Sequence, residues 1–237
     1  MKFFNIDNPV FRTISRIGDI FVLSFLWLVT SIPIFTIGVA TTAAYDCAFK
    51  IIRARDTNVF KDFFRSFKSN FRQSTLIFLI LIPIGALLLF NLYFWAHSES
   101  EYSVAMNAVT LGLAVIYLAG ALYVFPVQAM FENPIKKTLQ TAFLMAVLNI
   151  VNTIILLAVC LGVSYVCYIF PIAAYIFLIF GSGLFFMLFA VRFLTVFRKY
   201  NPALEPDAPV EQDTVEVCEE HHEKVKAKSY RGKKIIK

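Results

Sequence analysis

The run Cys218-Glu219-Glu220-His221-His222 is the densest group of chemistry-bearing side chains in this sequence. Thiolate, carboxylate and imidazole are the ligand types of a zinc site. No second cluster stands at ligand spacing to complete such a site. The spacing is therefore read as incidental, and no metal or other cofactor is expected. None of the three His has a plausible nucleophile beside it. Cys47, Cys160 and Cys167 lie in or beside apolar runs, where a cysteine behaves as a small packing residue. No catalytic residue is expected, and the chain is not read as an enzyme.

The remaining polar candidates sit inside apolar stretches. They are Asn91, Asn149 and Asn152, with Thr153 beside the last. Asn149 and Asn152 are three apart, a spacing that puts both on one helical face. Carboxamides at membrane depth more often bond helices together than hold a ligand. No charged residue lies deep in any apolar run. Proton- and ion-coupled transporters carry such groups, because intramembrane ionisable residues mark their pathways.

What positions these residues is a set of long apolar helices. Of 237 residues 59% are hydrophobic and 16% charged, whereas soluble domains carry about 25% charged residues. A spanning helix needs about 20 apolar residues. Ser74–Ala96, Val104–Met130 and Thr141–Val191, divided at Pro171, supply four. Alternation is absent, which argues against barrel strands. The expected fold is an all-α integral membrane protein. It has four transmembrane helices, an N-terminal Pro/Gly-broken segment that re-enters or spans as a fifth, and an amphipathic interfacial helix. Residues 1–19 are read as an N-terminal interfacial segment, 20–200 as the helical membrane domain and 201–237 as a disordered cytoplasmic tail.

Orientation follows from the 22 Lys and Arg. None lies in His97–Ser103 or Cys167–Pro171, so those connections are read as external. A net charge of +6 then reads as cytoplasmic bias in a multi-pass protein of the cell membrane, not as a nucleic-acid footprint. The C-terminus is cytoplasmic on this count. The opening segment is the difficulty. Pro33 and Gly38, with Thr36 between them, interrupt it. Pro33 lacks an N–H, and Gly38 tolerates conformations that other residues resist. If the segment re-enters, as two half-helices near Ile20–Ser31 and Val39–Arg53, every cation lies inside. A single crossing leaves Lys2, Arg12 and Arg16 outside. The count favours re-entry.

Between the first and second runs, Phe60, Phe63, Phe64, Phe67 and Phe71 recur at helical spacing. Lys61, Arg65, Lys68 and Arg72 form a stripe beside them. This is the pattern of a helix in the headgroup plane, with lipid bilayer under its Phe face. The same face could dock a partner.

The stretches "FLWLVTSIPIFTIGVATTAAY", "FFRSFKSNFRQS" and "YVFPVQAMFENPIKKTLQTAFLMAV" resemble the YesL-like family of bacterial membrane proteins, over about residues 5–200. The family has no established activity, so no catalytic residue transfers. Its genes neighbour carbohydrate ABC importers, and the resemblance therefore implies a non-enzymatic auxiliary membrane protein that binds or regulates the membrane subunits of such an importer. The alternative is a small stand-alone transporter or channel. The chain is not itself a standard permease subunit, because the Glu-Ala-Ala–Gly coupling loop is absent.

Overall fold

The computed structural model describes residues 9–53, 58–131 and 133–200, with side chains from Arg16 onward. The tail with Cys218–His222 and the first eight residues lie outside the described residues. Among the described residues all regular structure is helical. The order is α1 (Pro9–Thr30), a 3-10 turn (Ile34–Thr36), α2 (Ile37–Ile52), α3 (Val59–Ala96), α4 (Ser103–Met130), α5 (Ile135–Leu148), α6 (Ile150–Ile169), α7 (Pro171–Ile176), a π turn (Phe177–Gly181) and α8 (Ser182–Tyr200). Five segments are long and apolar enough to cross a bilayer: Ile34–Ile52, Val59–Ala96, Ser103–Met130, Ile150–Ile169 and Pro171–Tyr200. Their outer faces carry large exposed apolar side chains such as Leu87, Leu89, Val109 and Leu161. Exposed apolar surface on that scale needs lipid to cover it. The chain is an all-α membrane protein.

From α2 to α5 consecutive helices pack antiparallel. Thr42 meets Ser74 and Lys50 meets Asp62, so α3 descends as α2 advances. Gln73 meets Gln128 and the Leu81 carbonyl meets Tyr117, which sets α4 against α3. Gln128 meets Thr138, and α5 starts back along α4.

The apolar run from Thr141 to Pro171 is not one helix. It breaks at Asn149, whose side chain donates to the Met145 carbonyl at 3.0 Å. Asn competes for backbone groups in this way and weakens a helix interior. Asn149 itself has φ −117° and ψ 49°, outside the helical region. It therefore does not share a continuous helical face with Asn152, contrary to the spacing argument.

The opening segment is broken where its sequence implies. Phe21 stacks edge-on against Phe180, and Trp27 against Phe186, so α1 advances six residues as the π turn and α8 advance six. Between them the Ser24 hydroxyl accepts from the Gly183 N–H at 2.8 Å and faces the Phe180 carbonyl at 3.3 Å. Ser24 thus joins α1 to the first turn of α8, its hydroxyl lying within reach of the Ile20 carbonyl of its own helix as well. A Cβ on Gly183 would collide with the Ile20 carbonyl, so glycine is what lets the helices meet. Across the turn, Trp27 in α1 meets Thr41 in α2, so the two half-helices lie side by side at the break, as a segment that turns back requires.

Candidate functional site

The expected break residues have clear roles. Thr36 is buried, and its hydroxyl contacts the carbonyls of Thr30 and Pro33, both at 2.6 Å. The Thr36 N–H also bonds the Pro33 carbonyl at 2.9 Å. The turn thus satisfies its own backbone, as membrane depth requires. Ile32, Ile34 and Phe35 point outward from it. Trp27 Nε1 donates to Thr41 Oγ1 at 3.3 Å and ties the two halves together. Gly38 is not at a strained position; it lies within α2 as ordinary helix. A Cβ there would stand 2.7 Å from the Phe78 Cβ and 2.9 Å from the Ser74 carbonyl. Its function is close approach of α2 to α3, which is how small residues join helices in lipid.

The amphipathic connector is not a separate helix. It is the first part of α3, which starts at the cap formed by Asn58 Oδ1 and the Lys61 N–H. At 1.5 Å per residue the 38 residues of α3 reach about 57 Å, against a hydrocarbon core of about 30 Å. The Ser74–Ala96 stretch fills the core, so roughly 22 Å of helix precedes it. The Phe residues divide. Phe63 is fully buried in protein, on the stripe Val59, Ser66, Ser74 and Ile77. Phe60, Phe64 and Phe71 are exposed, and Phe67 is half-buried. Charge gathers at the same end. Lys50 Nζ lies 2.6 Å from Asp46 and 3.9 Å from Asp62, and Arg65 lies 2.9 Å from Asp62.

Beside this projection, where α3 meets the end of α4, lies an open cleft of about 710 Å³. A network of carboxamides lines it. The buried Gln128 accepts from Gln73 Nε2 at 3.0 Å and from the Thr138 hydroxyl at 3.1 Å. It donates to Asn70 Oδ1 at 3.4 Å. Gln73 Nε2 also donates to the Asn133 carbonyl. Asp46 and Arg65 stand at the rim, each held by an ion pair. Neutral donors and acceptors of this kind bind polar groups. Among the described residues no three His, Cys, Asp or Glu gather as metal ligands.

Sequence reasoning missed this network. Gln128 carried the available signal, a long polar side chain one turn inside the end of an apolar run. Asn91, singled out instead, bonds only the Leu87 carbonyl of its own helix, at 3.2 Å. Asn152 donates to the Tyr123 hydroxyl at 3.2 Å, joined by Thr153 at 3.1 Å, and so links α6 to α4. Tyr123 is the buried end of an aromatic cluster. Its ring lies 4.9 Å from Phe193, and Tyr45 lies 5.8 Å from Phe193 and 5.1 Å from Phe186.

Residues 20–92 match the family described as "Protein of unknown function, DUF624". They hold the second half of α1, the break, α2 and all but the end of α3. The chain is 28% identical over 151 residues to "Uncharacterized protein YesL" of Bacillus subtilis (strain 168), covering 63% of this chain and 71% of that one. It is 29% identical over 155 residues to "Uncharacterized protein YesV" of the same organism, covering 63% and 74%. No solved structure matches. The broken opening segment, the helical architecture and these matches agree: residues 20–92 match the DUF624 family, and the chain is similar to YesL and YesV over 63% of its length.

Proposed function

We propose that this chain is a non-enzymatic auxiliary membrane protein that docks a partner complex on the projecting end formed by α2 and α3. The observation that carries the reading is the length of α3, which outruns the bilayer and presents apolar and basic side chains beyond it. The resemblance names the partner class, the membrane subunits of a carbohydrate ABC importer. On the cation count the projecting end and the C-terminus are cytoplasmic, and the membrane is the bacterial cell membrane. A stand-alone channel has no comparable support. Tyr45, Tyr123, Phe186 and Phe193 pack ring against ring in the interior through which a path would run.

The test is a mild-detergent pull-down from native membranes at normal expression. Importer membrane subunits should co-purify in fixed proportion. Recovery of the chain alone, or solute flux in liposomes by the chain alone, counts against the reading.

A further inference from the structure

The exposed face of the α3 projection has a finer pattern than amphipathicity. Phe60, Phe64, Phe67 and Phe71 follow one another at spacings of 4, 3 and 4. At 100° per residue they fall within a wedge of about 60°. That is the spacing of a seam that receives the side chains of a second helix. Phe60, Phe64 and Phe71 are 59%, 42% and 40% exposed, so in this chain nothing fills the seam. The face packed on α2, through Val59, Phe63 and Ser66, lies about 90° to one side. Lys61, Arg65, Lys68 and Arg72 lie about 100° to the other. Lys61, Lys68 and Arg72 make no ion pair among the described residues.

Lipid does not account for the seam. Phe60 and Phe64 lie 14 and 10 residues before Ser74, which is roughly 21 and 15 Å beyond the start of the apolar stretch. A second copy does not suit it either: two copies in one bilayer run parallel, so the basic flank of each would meet the Val59, Phe63 and Ser66 flank of the other, which α2 already covers.

We propose that the Phe60–Phe64–Phe67–Phe71 seam binds an amphipathic helix of a partner protein, one with an apolar seam at the same spacing and acidic residues along the flank that meets Lys61, Lys68 and Arg72. The proposal rests on the docking reading above and adds the chemistry of the partner segment. The apolar seam supplies the contact area. The flanking charges select the acidic partner and its direction.

The test uses the full chain in nanodiscs of zwitterionic lipid and synthetic helical peptides labelled with a fluorophore. One peptide carries Leu at 4-3-4 spacing with Glu flanks; its counterpart carries Lys flanks. Anisotropy, corrected against empty discs, should show saturable binding of the Glu peptide and roughly tenfold weaker binding of the Lys peptide. Phe60→Glu with Phe64→Glu should abolish binding. Lys61→Glu with Lys68→Glu changes exposed side chains alone and should reverse the preference for the two peptides. Equal binding of both peptides, or an unchanged preference in the charge-reversed variant, overturns the proposal. Quenching of a Phe64→Trp fluorophore by brominated lipid, above that of the parent chain, would show the seam in the bilayer and also overturn it. So would cross-linking of two copies through Phe64→Cys. These readouts are independent of the pull-down. An importer that co-purifies equally with the Phe60→Glu, Phe64→Glu variant leaves the auxiliary role standing and removes the seam from it. Peptide binding without a co-purifying importer does the reverse.

Discussion

The Ile34–Ile52 segment has a mean hydropathy of 1.2 and is 67% buried in protein, whereas Ile150–Ile169 has a mean hydropathy of 2.3 and is 11% buried. In a soluble protein the ranking would run the other way. Lipid tails are as apolar as Leu, so a very apolar helix gains nothing by leaving them. Association has to come from close packing and hydrogen bonds. α2 supplies both, with Ala40, Ala43, Ala44 and Ala48 fully buried and Thr42 bonded to Ser74 at 3.0 Å. α6 carries Leu161, Val151 and Ile154 outward into lipid. The difference teaches that, in this chain, the less hydrophobic helix is the interior one, and that the DUF624 match falls on it.

If α1 turns back beside α2, accessibility should be all-or-none. With single Cys probes at Asn5, Ser69 and Ser100 on a Cys-free background, impermeant maleimide on intact cells should label Ser100→Cys but neither Asn5→Cys nor Ser69→Cys. Labelling at Asn5 with Ser69 still protected would make the segment a single crossing and break the comparison at its root. Next in size is Phe63 against Phe64, neighbours in sequence on opposite sides of the packing boundary. Phe63→Ala should cost about 3–5 kcal/mol in SDS-titrated unfolding, and Phe64→Ala about 0.5 kcal/mol or less. Similar losses for both would mean that the projection is not packed as described. The same replacement can then be made in each region. Gly38→Val should cost roughly 1–3 kcal/mol through overpacking against α3. Gly162→Val in α6, where a Cβ meets nothing within 4 Å, should leave the midpoint unchanged. The smallest contrast is between hydroxyls. Thr42→Ala should cost about 0.6 kcal/mol, the usual worth of an interhelical bond in lipid. Thr195 bonds only the Val191 carbonyl of its own helix, and Thr195→Ala should have no measurable effect.

Much of the helical plan could be read without coordinates. Pro33 marks the break because a missing N–H and a ring clash act locally. The Phe and cation stripes of the connector are periodicities within one helix, and they locate its faces correctly relative to one another. What lay beyond reading was set by partners distant in sequence. Whether Phe63 or Phe64 is buried depends on where α2 lies. Gly38 was argued from backbone freedom, yet its reason is the Ser74 carbonyl 36 residues away. The place of α1 beside α8 depends on Ser24 and Gly183, 159 residues apart, and charge counting has no access to that pair. Gln128 gives the same lesson for the cleft. Its apolar neighbours made it look like a span end, and only the convergence of Asn70, Gln73 and Thr138 makes it a centre.

The continuity of α3 has a mechanical consequence. Spanning helices answer a change in bilayer thickness mainly by tilting. Leu81, buried near the middle of α3, is 22 residues from Val59, a lever arm of about 33 Å. A change in tilt of about 10°, well inside the range such helices adopt, would swing the tip by roughly 6 Å. A short interfacial helix joined by a flexible loop would absorb that motion. The stretch from Val59 to Leu81 is unbroken helix ahead of Pro83 and transmits it, so the projecting end of this protein doubles as a gauge of the membrane that holds it.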